Sequence, residues 1–225
     1  MFGKFSLLGK ILMVFNIISI PYVVVALSAR VAFSEWFIEW QYSLKSFPED
    51  IYGMSKEERK RLAKIGLKAV LSEEGMEEFK NAKLPDGRRA FTLKETKHME
   101  DVRRLLSVLF PLAYILSVFN ILSLIYTFLK SKRLMGYILL WGGCLCILLL
   151  ILAGIISVFN YEFAFEKFHD LFFDPYSWRF SYRDTLIRIY PKVFWFNGTI
   201  FVISISIFIS LLFIIFGLFV KKKYS

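Results

Sequence analysis

The sequence predicts an all-α integral membrane protein: a four-transmembrane-helix bundle with a partly helical extracytoplasmic domain and both termini in the cytoplasm. Three observations predict it. Hydrophobic residues make up 56% of the 225 and aromatics 18%, a composition suited to contact with lipid. Four segments exceed the roughly 20 apolar residues that a helix needs to cross a bilayer. Lysines and arginines gather beside the short connections, where they fix orientation.

The spans fall at residues 5–33, 105–129, 134–159 and 194–220. Pro21 and Pro111 are tolerable kinks, because neighbouring membrane helices satisfy the carbonyls that proline frees. Lys4 and Lys10 at the head of the first span, and Ala26 and Ser28 near its end, resemble a cleaved signal peptide. Its apolar stretch is longer than the about 7–15 residues of a signal core, so it reads as a retained helix. Lys4 and Lys10, then Lys130, Lys132 and Arg133 in the connection 130–133, then Lys221, Lys222 and Lys223 in the tail 221–225 all fall on one side. That side is the cytoplasm. Residues 34–104 and 160–193 are then both extracytoplasmic, and long translocated segments escape the charge rule.

Residues 34–104 are more than a linker. Ser55-Lys56-Glu57-Glu58 is a capping-box sequence, and Leu62, Ile65, Ala69 and Val70 recur at helical spacing, so a helix is expected to about Leu71. A second short helix is expected at about Glu73 to Asn81, and Pro85-Asp86-Gly87 is a turn signal. Trp36, Phe37, Trp40 and Tyr42 suit a membrane interface. Residues 92–104 contain no breaker and are expected to extend the second span outward, with His98, Asp101, Val102 and Leu105 on one face.

Several function classes drop out. The net charge of +10 suggests nucleic acid only on a soluble scaffold, and this chain is too apolar to supply one; anionic headgroups and topology account for the lysines. Cys144 and Cys146 project from different sides of one helix, which excludes a disulfide framework. No G-x-S-x-G elbow occurs for a nucleophile. The spans lack the intramembrane acid or base of a transporter's coupling site. Asn197-Gly198-Thr199 is a glycosylation sequon, but it opens the fourth span and is discounted.

What remains is a pair of imidazoles. His98 and His169 are the only histidines, and both are expected just outside the outer membrane surface. A single such histidine is ordinarily solvated or hydrogen-bonded. Two at matched depth can divide the roles of general acid and base. A metal site would need carboxylates such as Asp101, Glu95 or Asp170 as further ligands, and no spacing demands one, so neither metal nor cofactor is expected. Asp184, Arg179 and Arg188, with Arg183, flank Trp178 and Phe180. As interface charges they are paired and solvated; in a functional reading Asp101 or Asp184 orients a histidine and Arg179 or Arg188 stabilises developing negative charge. Phe172, Phe173, Trp178, Phe180, Phe194 and Trp195 can form an aromatic belt or an acyl-chain pocket.

The segments FHDLFFDPYSWRFSYRDTLIRIYPKVFW and FTLKETKHMEDVRRLL resemble the lipoprotein intramolecular transacylase (Lit) family of bacterial four-helix membrane proteins. The resemblance implies that the family's two motif histidines match His98 and His169. It implies diacylated lipoproteins and membrane lipid as partners, and no nucleic acid. The implied reaction moves the sn-2 acyl chain of an S-diacylglyceryl cysteine to the α-amino group of the same cysteine, giving an N-acyl, S-monoacylglyceryl lyso form. Nucleophile and ester then belong to one molecule, which explains the missing nucleophile motif. The chain is expected to act as a monomer. The alternative is a non-enzymatic tetraspan protein that binds lipid or an envelope partner through its outer domain.

Overall fold

The computed structural model describes residues 5–224, with the side chains of all but 156–159. Lys4 and Ser225, which enter the sequence reading at the first span and the tail, lie outside the described residues. Among the described residues the helices are α1 (Leu7–Ala32), α2 (Glu35–Ser43), α3 (Lys56–Leu71), α4 (Glu73–Asn81), α5 (Leu93–Lys130), α6 (Lys132–Phe159), α7 (Tyr161–Phe172), α8 (Thr185–Ile189) and α9 (Lys192–Lys223). The one extended pairing among them is an isolated antiparallel bridge between Lys83 and Arg89. Helices α1, α5, α6 and α9 are long and apolar enough to cross a membrane.

Helix α5 has 38 residues, about 57 Å at about 1.5 Å each, nearly twice the ~30 Å hydrocarbon core. Its uncharged part is Leu105 to Leu129, whereas Leu93 to Arg104 carries seven charged residues and His98. The charged part lies outside the membrane-spanning part. Residues 160–193, read from sequence as a loop, are partly helical. The Asn160 side chain accepts the Phe163 amide and caps α7, an N-terminus signal that the density of aromatics obscures.

The chain divides into two compact units. The first comprises Met1–Ala29, Phe110–Val158 and Phe201–Ser225. Lipid tails are as apolar as leucine, so its helices adhere through small residues and neutral polar bonds. A Cβ added to Gly217 would lie 2.6 Å from the Leu140 amide nitrogen and 2.8 Å from the Gly136 carbonyl oxygen, so α6 and α9 touch backbone to backbone. Asn16 Nδ2 donates to Ser123 Oγ (2.7 Å) and Ser19 Oγ to Asn120 Oδ1 (2.8 Å), joining α1 to α5 through buried side chains. Met13, Ile20, Tyr137, Ile138 and Cys146 share the core. Cys144 and Cys146 are both free thiols. Leu122 and Ile215 point large apolar side chains outward, 60% and 63% exposed.

The second unit comprises Arg30–Leu109 and Phe159–Ile200. Its core is built from α2, α3 and α4: Phe37, Ile38, Tyr42, Leu62, Ala63, Met76 and Phe79 are all at most 2% exposed. Phe37 and Tyr42 are therefore core residues rather than interface anchors, because α2 turns one face inward. Tyr42 donates to the Ile189 carbonyl and Phe37 packs edge-on against Phe194. Ser55 caps α3 by accepting the Glu58 amide, but the Glu58 carboxylate takes the Arg61 guanidinium instead of closing the box. Asn197, the sequon residue, donates to Gln41 Oε1 at 2.9 Å.

Candidate active site

His98 sits one turn into α5, and its position begins with a capping box that the sequence reading passed over. Thr92 Oγ1 accepts the Glu95 amide, and Glu95 Oε2 accepts the Thr92 amide at 2.7 Å. Glu95 is completely buried, and its second oxygen accepts the Leu186 amide at the start of α8, also at 2.7 Å. One carboxylate thus fixes the first turn of α5 and ties it to α8. Burial raises the Glu95 pKa even against three hydrogen bonds that favour the charged form. Thr92-x-x-Glu95 was the available signal.

His169 projects from α7, whose Tyr161, Phe165 and His169 recur at every fourth position and share a face. His169 Nδ1 lies 2.8 Å from the Phe165 carbonyl oxygen. A carbonyl only accepts, so in the neutral ring Nδ1 carries the proton and Nε2 holds the free lone pair.

The two imidazoles face one another within this unit, centroids 6.2 Å apart and planes 26° from parallel. Aromatic rings surround both. Phe173 and Phe180 meet His98 edge-on at 5.2 and 5.4 Å. Phe165 lies 4.0 Å and Trp178 4.8 Å from His169, and Phe173 5.7 Å. Burial among these rings lowers the His98 pKa to about 4, with a smaller push from His169. Burial also lowers that of His169, against the Phe165 carbonyl and Asp170, which pull upward. Both rings are neutral at pH 7. Two buried polar atoms here lack a hydrogen-bond partner, His98 Nδ1 and Trp178 Nε1. Such groups are normally paired, so each is a candidate substrate contact.

The other sequence candidates divide. Phe173, Trp178 and Phe180 join the histidines, while Phe172 is half-exposed and packs on Phe168. Phe194 packs against Phe37 and Tyr190, and Trp195 lies 6.4 Å from Phe165. Arg179 reaches across the Trp178 ring at 4.7 Å and pairs with Asp170 at 3.3 Å. Arg188 instead grips the buried Asp50 with two hydrogen bonds, 3.0 and 2.8 Å, while its carbonyl accepts from Arg59. That pairing holds the Asp50 pKa down. Asp184 accepts the Ser181 amide at 2.7 Å, closing its own turn, and Asp101 has Arg104 at 3.9 Å. Phe165, absent from the sequence candidates, makes the closest ring contact to His169. No three His, Cys, Asp or Glu side chains converge among the described residues.

Comparison with known proteins identifies the family. Residues 14–195 match the family described as lipoprotein intramolecular transacylase Lit. The chain belongs to the Lit family. A relative from Aquifex aeolicus (strain VF5), described as an uncharacterized protein, is 53% identical over 213 residues, covering 95% of this chain and 96% of the relative. The in meso structure of the membrane integral lipoprotein intramolecular transacylase Lit from Bacillus cereus superposes with a TM-score of 0.79 at 22% identity, covering 96% of this chain and 97% of that one. A structure of the Bacillus cereus protein with one histidine replaced by arginine gives 0.73 at 20% identity, covering 96% and 93%. At such identities these likenesses speak to the Lit fold: helical and membrane-integral.

Proposed function

We propose that this Lit-family chain moves the sn-2 acyl chain of an S-diacylglyceryl cysteine to the α-amino group of the same cysteine, with the paired histidines as acid and base. The observation that carries this reading is the 6.2 Å pairing of two neutral imidazoles, one with its tautomer fixed. An α-amino group of pKa about 7.7–8.0 is mostly protonated at pH 7 and attacks only after losing a proton. His169 Nε2 is the base. As nitrogen adds to the ester carbonyl, His169 takes an N–H proton and the carbonyl oxygen becomes an oxyanion. The oxyanion collapses, the bond from carbonyl carbon to the sn-2 oxygen breaks, and that oxygen leaves with a proton supplied by a histidine. An amide and a hydroxyl replace an amine and an ester, so the mass is unchanged.

Nucleophile and ester on one molecule supply proximity, worth up to roughly 7–11 kcal/mol in well-oriented cases, and no covalent enzyme intermediate is needed. We assign the oxyanion donor to Trp178 Nε1–H, a buried donor without a protein partner on a ring 4.8 Å from His169. The aromatic walls suit acyl chains. The basic clusters support an extracytoplasmic site, where diacylated lipoproteins are anchored. Incubating the purified chain with a diacylated lipoprotein and fragmenting the product tests this. Unchanged mass with one acyl chain on nitrogen is expected; no migration, or full activity in His169→Ala, rejects it in favour of a lipid- or partner-binding tetraspan.

A further inference from the structure

The two units differ completely in their acids. All 19 Asp and Glu residues fall in the second, and Lys10, Lys130, Lys132, Arg133, Lys221, Lys222 and Lys223 fall in the first with Lys4. No carboxylate side chain exists there to balance them. Several of these cations lie over aromatic rings instead: Arg133 over Tyr137 at 5.9 Å, Lys132 over Tyr224 at 4.7 Å and Lys223 over Tyr224 at 5.7 Å. Ring faces attract cations but carry no net charge, so they leave the charges of Lys132 and Arg133 un-neutralised.

A cavity of about 720 Å³ opens among these cations, within the size range of ligand sites. It lies at the start of α1, the end of α5, the start of α6 and the end of α9. Lys130, Arg133, Ser131, Tyr126 and Tyr224 supply polar atoms, and Phe5 an apolar wall. Two helix N-termini and two C-termini meet there, so their dipoles oppose and the field comes from the side chains. Arg133 Nε is buried without a hydrogen-bond partner, although guanidinium donors are normally satisfied. The neighbouring Lys130 and hydroxyls complete a donor set for a tetrahedral oxyanion.

We infer that this cavity binds the phosphate group of an anionic phospholipid, with Arg133 and Lys130 as its ligands. The apolar wall at Phe5 receives the acyl end of such a lipid, and free phosphate is the other source of the same chemistry. The site is independent of the histidine pair.

Native mass spectrometry of the full-length purified chain tests the inference with three probes: phosphatidylglycerol, phosphatidylcholine and inorganic phosphate. Phosphatidylglycerol is expected to be retained about tenfold more than phosphatidylcholine, and inorganic phosphate at millimolar concentration not to displace it. The Lys130→Gln/Arg133→Gln variant should lose the preference, whereas Lys45→Gln/Lys56→Gln, which removes equal charge from the second unit, should keep it. Arg133→Lys keeps the charge and guards against misfolding, with helix content checked by circular dichroism. Equal retention of both lipids, loss of preference in the Lys45/Lys56 variant, or full preference in the Lys130/Arg133 variant overturns the site. Displacement by inorganic phosphate with the same residue dependence overturns the lipid as occupant.

Discussion

The two units solve the problem of polar groups in opposite ways. The membrane-spanning unit has no carboxylate side chain; its helices are joined by neutral bonds such as Asn16 to Ser123 and by glycine contacts such as Gly136 with Gly217. The unit that carries the histidines uses ionised groups throughout, from surface pairs such as Lys60 with Glu39 to the buried Asp50–Arg188 pair and the fully buried Glu95. The difference follows from solvent. Lipid offers no water to offset an imperfect charge pair, so only neutral bonds are safe there. An extramembrane core tolerates a buried carboxylate when backbone amides satisfy it, and here Glu95 anchors the turn that carries His98. The placement of the histidine pair is then a product of charged scaffolding, and the packing of the membrane-spanning unit one of neutral contacts.

The largest effects should break the charged unit. His169→Ala is expected to slow acyl migration by about 10²–10⁴-fold, the range for a lost general base, with helix content unchanged in circular dichroism. Trp178→Phe keeps the ring but removes the donor, and a fall of about 10²–10³-fold in turnover is expected from the lyso-lipoprotein assay. Glu95→Ala leaves the Leu186 and Thr92 amides without their acceptor. A stability loss of about 3 kcal/mol should appear as a lower melting temperature, with activity lost alongside it, while Glu95→Gln recovers part of both.

Much of this was legible in the sequence, for physical reasons. Spans announce themselves because twenty apolar residues have no other stable home, and α3 did so through its capping serine and period-3.6 apolar positions. The pairing of His98 with His169 was legible only as a match in topology. Seventy-one residues separate them, and no local pattern encodes a 6.2 Å contact. Arg188 shows the converse. From sequence it flanks the aromatic motif, but Asp50, 138 residues earlier, captures it. Asp184 likewise sits near the motif in sequence yet spends its carboxylate on the Ser181 amide. Charges choose partners in space, so sequence proximity was a poor guide to their roles.

Acid should sharpen the comparison, because only one unit holds histidine. The folded His98 has a pKa of about 4, below its unfolded value of about 6.5. Between these limits the unfolded chain binds a proton that the folded chain refuses, so stability falls as pH drops from about 6.5 toward about 4, by up to about 1.4 kcal/mol per pH unit. His169, also shifted down by burial, adds to the slope in the same direction. Denaturation followed across this window should lose most of its slope in the double variant His98→Phe/His169→Phe, and a slope that survives would place the sensitivity elsewhere.

The smallest effect belongs to the neutral unit. Asn16→Ala removes the bond to Ser123, yet membrane polar bonds average only about 0.6 kcal/mol because the unpaired groups find other partners within the bilayer. Ser123 can turn its hydroxyl to a carbonyl of its own helix, as Thr127 does on α5. Unfolding of Asn16→Ala in mixed micelles should therefore match the parent within about 1 kcal/mol, far less than Glu95→Ala, although both side chains are fully buried. Equal losses for the two would mean that the membrane-spanning unit depends on its polar bonds as strongly as the other unit depends on Glu95, and would remove the distinction between them.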